Sequence, residues 1–172
     1  IVEFNYDPSF SEYEMYNNNT DWRKEVIKNG LLQKHYVTIS GGGEKANFRV
    51  SGGWDTQTGT VLEQRLNRFT TRVALDYFVS NRIKGVTDFN MTYTKNERNA
   101  GNLLGTAYQK MPNLSVREQD ANGNDLPDYY HMLPNVSNEL RSDQLGLVNP
   151  VALAYQAKNN DSEYAIQPEF QL

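Results

Sequence analysis

Cysteine is absent from the 172-residue chain, and histidine occurs only twice. Without cysteine there is no disulfide, no thiolate metal ligand and no thiol nucleophile. His35 and His131 stand far apart, and neither has a neighbour at a metal-ligand spacing, so no metal site and no catalytic histidine are expected. Also missing are a Gly-x-Ser-x-Gly elbow, a Walker loop and a dinucleotide fingerprint. Gly41-Gly42-Gly43 lacks the lysine and following helix of a phosphate cradle and reads as a tight turn. No residue is assigned a catalytic role, no cofactor is expected, and enzymatic activity is not anticipated. With 17 Lys and Arg against 21 Asp and Glu, net charge −4, and no dense basic stripe, nucleic acid is disfavoured as a partner. No stretch of about 18 apolar residues occurs, which excludes a membrane-spanning helix. Strands are not excluded, because a barrel strand turns only alternate residues to lipid and is polar on average.

What the chain does contain is 11 tyrosines and 12 glycines within an apolar share of only 38%, a mixture suited to strands and turns. Val37 and Ile39 alternate with Thr38 and Ser40 before the glycine turn. Ala46, Phe48, Val50 and Trp54 then share one parity, with Asn47, Arg49 and Ser51 on the other. Phe69, Val73, Leu75, Tyr77 and Val79 repeat the pattern against Thr70, Arg72 and Asp76, with Phe78 as the exception. After a second turn, Phe89, Met91 and Tyr93 alternate with Asp88, Asn90, Thr92 and Thr94. Tyr164, Ile166, Phe170 and Leu172 alternate with Glu163, Gln167, Glu169 and Gln171. Pro168 lies inside this last strand, where its missing N–H predicts a bulge, an edge position or a gap in pairing.

Connection lengths order these strands. The turns at 41–45 and 80–85 are short, whereas 55–68 is longer and 95–161 very long, as in outer-membrane barrels, whose periplasmic turns are short and external loops long. The expected fold is all-β: a partial transmembrane antiparallel β-barrel of about five strands with short helices in long extracellular loops. Residues 1–34 form a first loop, 35–95 four strands in two hairpins, 96–161 a large loop and 162–172 a further strand. One helix is expected over 21–29, capped by Thr20 or Asp21 and stopped by Gly30; another follows Asn149-Pro150. Alternation alone also fits a soluble extracellular β-sandwich, a carbohydrate-binding or adhesive module.

Arg49, Arg72, Asp76, Asp88 and Glu169 fall on the polar faces of the strands; in a barrel they face the lumen while Val37, Phe48, Val50, Leu75 and Met91 meet lipid. Aromatics recur in the loops, at Phe4, Tyr6, Tyr13, Tyr16, Trp22, Tyr129 and Tyr130. Trp54, Tyr129 and Tyr130 are the candidates for contact with a ligand or covering partner, and Trp54 and Tyr93 are equally placed for an interfacial aromatic girdle. The 120–125 segment and Asp128 space oxygens as a calcium loop would, but Asp125 occupies the glycine position and His131 the final glutamate position, so an Asx-rich turn is expected.

Thr20-Asp21-Trp22, then the run from Tyr36 to the Ser40-Gly41-Gly42 turn, then Phe48-Arg49-Val50-Ser51-Gly52-Gly53-Trp54, resembles the SusC/RagA family of TonB-linked outer-membrane proteins. The likeness continues through 68–76 and 89–95 and returns at Asn149-Pro150-Val151-Ala152. It implies a larger, plug-containing barrel in the outer membrane of a Gram-negative bacterium, of which these strands form one arc, since an open arc leaves unpaired edges that lipid does not tolerate. It further implies TonB-driven import of oligosaccharides or peptides, a SusD-like surface lipoprotein as lid, contact of TonB with parts of the protein outside these residues, and no covalent chemistry.

Overall fold

The computed structural model describes residues 13–80, 82–99, 101–131, 144 and 146–172. Phe4 and Tyr6 lie outside them. The chain divides into two compact units.

The first is a five-stranded sheet in the order β1-β2-β3-β4-β7, built from β1 (Leu32–Gly42), β2 (Ala46–Thr58), β3 (Arg65–Ser80), β4 (Ile83–Asn99) and β7 (Lys158–Gln171). Antiparallel ladders join β1 to β2, β2 to β3 and β3 to β4. Along β4 and β7 the Tyr93 ring lies 4.6 Å from that of Tyr164, and Arg98 pairs with Asp161. Rising numbers in one strand therefore meet falling numbers in the other, so this pair is antiparallel as well. The Gly43 N–H donates to the Ala46 carbonyl at 2.8 Å and closes the first hairpin. β7, which carries Pro168, is the last strand in this order.

The strands run further than alternation indicates. β3 begins at Arg65, β4 continues to Asn99 and β7 begins at Lys158, beyond the expected limits of 95 and 162. At these ends Arg65 pairs with Glu97 and Asn67 with Lys95. Both faces there carry polar side chains, so pairing persists where the period of two has lost its contrast.

Two glycines in β1–β2 sit beneath aromatic rings on opposite faces. A Cβ at Gly41 would lie 2.9 Å from the Phe48 ring, and one at Gly53 would lie 2.7 Å from Thr70 Oγ1 and 3.3 Å from the Tyr36 ring. A bare backbone at these places lets each ring fold over its cross-strand neighbour.

The second unit comprises Ile1–Asn29, Thr60–Glu63 and Asn99–Lys158. Its described elements are helices α1 (Tyr13–Tyr16), α2 (Trp22–Val26), α3 (Leu103–Gln109) and α4 (Pro150–Gln156), with the hairpin β5 (Arg117–Gln119) and β6 (Asp125–Tyr129). The core holds Tyr16, Trp22, Val26, Ala107, Leu114, Tyr130 and Val151. α4 begins where expected: Asn149 Oδ1 accepts from the Val151 and Ala152 N–H groups at 3.1 and 3.3 Å, and Pro150 supplies a preset φ for the first turn. α2 is shorter than the expected 21–29. Its exit residue Ile27 is extended and bridges to Val61, so the helix ends in a strand pairing and not in a left-handed Gly30. Thr20 does not cap it either, because its hydroxyl donates to the Leu114 carbonyl at 2.7 Å.

Candidate functional site

The ladders fix which side chains share a face. Val37, Ile39, Phe48, Val50, Trp54, Phe69, Val73, Leu75, Tyr77, Phe89, Met91 and Tyr93 fall in register on one face. No described element of this unit covers that face, and Val37 is 65% and Phe170 74% exposed. In β3 the apolar parity runs from residue 69 to 79, about 33 Å of strand at 3.3 Å per residue; a tilt of about 40° reduces this to about 25 Å, the height of the apolar band of an outer-membrane barrel. At one level of the same face Trp54 pairs with Phe69, Phe69 with Tyr93, and Tyr93 packs on Tyr164, giving a row of four aromatics across four strands.

The opposite face is polar. Arg72 pairs with Asp88, its Nε lying 3.0 Å from Oδ2, and Lys84 Nζ lies 2.8 Å from Asp76. Arg49 stands opposite Ala74 in the ladder, beside Asp76 and Arg72 in one depression, and Glu169 acts electrostatically on Arg72. All five residues expected on the polar faces therefore occupy one side of one sheet. A second depression on this face, of about 310 Å³, is lined by hydroxyls and amides of Thr70, Thr92, Thr94, Asn90 and Gln167 between Arg68 and Glu163.

The three aromatic candidates separate. Trp54, 55% exposed, belongs to the aromatic row of the apolar face, with the His35 ring at 6.1 Å. Tyr130 is a core residue, 4% exposed and edge-on to Tyr16 at 6.1 Å, which leaves no ring face for a ligand. Tyr129 is half-buried between the Arg117 guanidinium at 4.9 Å and the stacked ring of Tyr155 at 6.4 Å. Tyr108, the most exposed ring among the described residues of the second unit at 69%, went unnoticed in the sequence; it follows buried Ala107 on α3, and only the packing of that short helix shows which of its sides is wet.

The Asx-rich turn is present. Asp120 Oδ1 accepts from the N–H groups of Asn122 at 2.8 Å and Asn124 at 2.9 Å, closing the β5–β6 hairpin. The Asn124 side-chain amide, then the two backbone donors, hold the Asp120 carboxyl below the usual carboxylate range. Lys110, buried at the end of α3, donates to the Leu147 carbonyl at 2.6 Å; burial lowers its ammonium from 10.5 to about 8. Among the described residues no three His, Asp or Glu side chains cluster as metal ligands.

A five-stranded antiparallel sheet with one bare apolar face, an aromatic row at its rim and ion pairs on the reverse is the wall of a transmembrane β-barrel. No family model matches the chain. It is 26% identical over 141 residues to the TonB-dependent receptor P3 of Formosa agariphila, a match covering 73% of this chain and 14% of that protein. It is 35% identical over 57 residues to the TonB-dependent receptor SusC of Bacteroides thetaiotaomicron, covering 33% of the chain and 6% of that protein. The chain thus spans a small part of the length of these relatives, and over that part it is similar to SusC-like TonB-dependent receptors.

Proposed function

We propose that these strands line the lumen of a TonB-dependent outer-membrane importer of oligosaccharides, working with a SusD-like surface lipoprotein. The observation that carries this reading is the segregation of apolar and charged side chains to opposite faces of one registered sheet. Arg49, Arg72, Asp76, Asp88 and Glu169 then meet water in the lumen, where charge costs little, and Val37, Val50 and Met91 meet lipid. The names of the two relatives support the dependence on TonB and the outer-membrane location. Import moves an intact solute, so no covalent step is assigned to the chain. The soluble-sandwich alternative needs a second sheet over the apolar face, and the other described sheet is the two-stranded β5–β6 hairpin.

The test is made on the full-length protein in its native host. Membrane fractions release it only with detergent, it migrates differently on gels before and after boiling, and a SusD-like lipoprotein co-purifies. Oligosaccharide uptake stops when the proton-motive force is collapsed. Release of the full-length protein by salt or alkali alone would overturn the reading.

A further inference from the structure

We propose that two adjoining depressions on either side of residues 19–21 bind consecutive sugar units of an oligosaccharide, with the Tyr108 ring as the stacking platform. The proposal rests on the importer reading and gives it a recognition site in the second unit.

The first depression, about 520 Å³, is lined by residues 19–21 with Arg23, Lys24, Tyr108 and Lys110 among others. The second, about 330 Å³, shares Asn19, Thr20 and Asp21 and adds Asn18, Glu25, Arg117, Gln119 and Asp125. Residues 19–21 are therefore a partition between two contiguous cavities, each within the size range of small-ligand pockets.

The linings select the chemistry. Carboxylates, amides and guanidinium groups are planar and bidentate, matching pairs of neighbouring hydroxyls. They are also held in place. Asn18 Nδ2 donates to the Glu14 carbonyl at 2.6 Å and to Gln119 Oε1 at 3.1 Å, Gln119 Nε2 donates to Asp125 Oδ1 at 2.9 Å, and Arg117 Nη1 donates to the Pro127 carbonyl at 2.6 Å. Charges of both signs meet in each cavity: in the first Asp21 lies 3.2 Å from Arg23 and 3.6 Å from Lys24, with Lys110 turned to the Leu147 carbonyl, and in the second Asp21, Glu25 and Asp125 stand with Arg117; the basic excess of one adjoins the acidic excess of the other, so the pair together suits a neutral ligand. Tyr108 offers a free aromatic face in the first cavity, within electrostatic reach of Arg23, as a sugar ring requires for stacking. Trp22 is only 3% exposed, with its indole N–H on the Met111 carbonyl at 2.8 Å, and forms the floor.

The experiment uses the full-length receptor in detergent, screened on an array of neutral oligosaccharides of glucose, mannose, xylose and galactose with a peptide pool alongside. Binding of a neutral glycan is expected. By calorimetry Tyr108→Ala raises its Kd about tenfold, while Tyr108→Phe, which keeps the ring, stays within about twofold. Because Tyr108 is exposed, the variant folds, and its heat-dependent migration checks that. An unchanged Kd in Tyr108→Ala, or binding of peptides with no glycan bound, overturns the site. Uptake is scored separately: uptake indifferent to the proton-motive force overturns the importer reading, whereas an unchanged Kd overturns only the site.

Discussion

Single side chains decide most where they are buried or where the backbone is unusual. Asn149 is 1% exposed and serves two functions at once: its oxygen caps α4, and its Nδ2 donates to the carbonyls of Val116 at 2.8 Å and Tyr130 at 3.2 Å. Asn149→Ala loses a cap and strands two buried acceptors, a destabilisation of about 3 kcal/mol; Asn149→Asp keeps the cap and loses the donors, and thermal unfolding of the detergent-solubilised receptor ranks the two below wild type. Lys110 gives a pH signature. Its folded pKa, about 8, lies below the unfolded 10.5, so between these values the unfolded chain binds more protons and stability rises with pH. Unfolding midpoints measured across that window should climb more steeply in wild type than in Lys110→Met. Asn149-Pro150 announced itself in the sequence because a cap is a local pattern. Lys110 did not, because nothing near it in sequence reveals that it is buried.

At the level of elements, α2, α4 and the turns of the two large hairpins were readable though the limits of their elements were not, while α1 and α3 went unread. A strand is visible in sequence only while one face is apolar, which is why β3, β4 and β7 all outrun their alternation at the end carrying Arg65, Glu97 and Asp161. The β5–β6 hairpin was read as an Asx turn without its strands, since a strand of three residues has too few positions to show a period. Its turn depends on Gly123 at φ +78°, with Glu14 Oε2 3.2 Å from where a Cβ would stand. Gly123→Ala therefore costs about 1 kcal/mol of backbone strain and, in the intact receptor, should speed proteolysis or hydrogen exchange in this hairpin while leaving the barrel strands unchanged.

For the molecule as a whole, the division of the sheet into lipid and lumen faces makes a paired prediction. Val73→Lys places a cation at the middle of the apolar face, between Val50 and Phe89, at a cost of about 2–4 kcal/mol. Thr92→Lys, on the polar face opposite Thr70, should be tolerated; the amounts of folded receptor recovered from outer membranes compare the two, and equal recovery would remove the assignment of faces. The sequence by itself determined this two-faced character, because a strand repeats every two residues and each side chain's face follows from its parity alone. It also carried the resemblance to SusC-like receptors. Only the tertiary structure decided which charges pair, as Arg72 does with Asp88, and which aromatics are core. Tyr130 turned inward and Tyr108 outward because three separate segments of chain share one core, tied by contacts such as that of the Trp22 indole with Met111, 89 positions apart. Parity is a local property of the backbone, whereas burial in an irregular segment depends on whatever distant residues close over it.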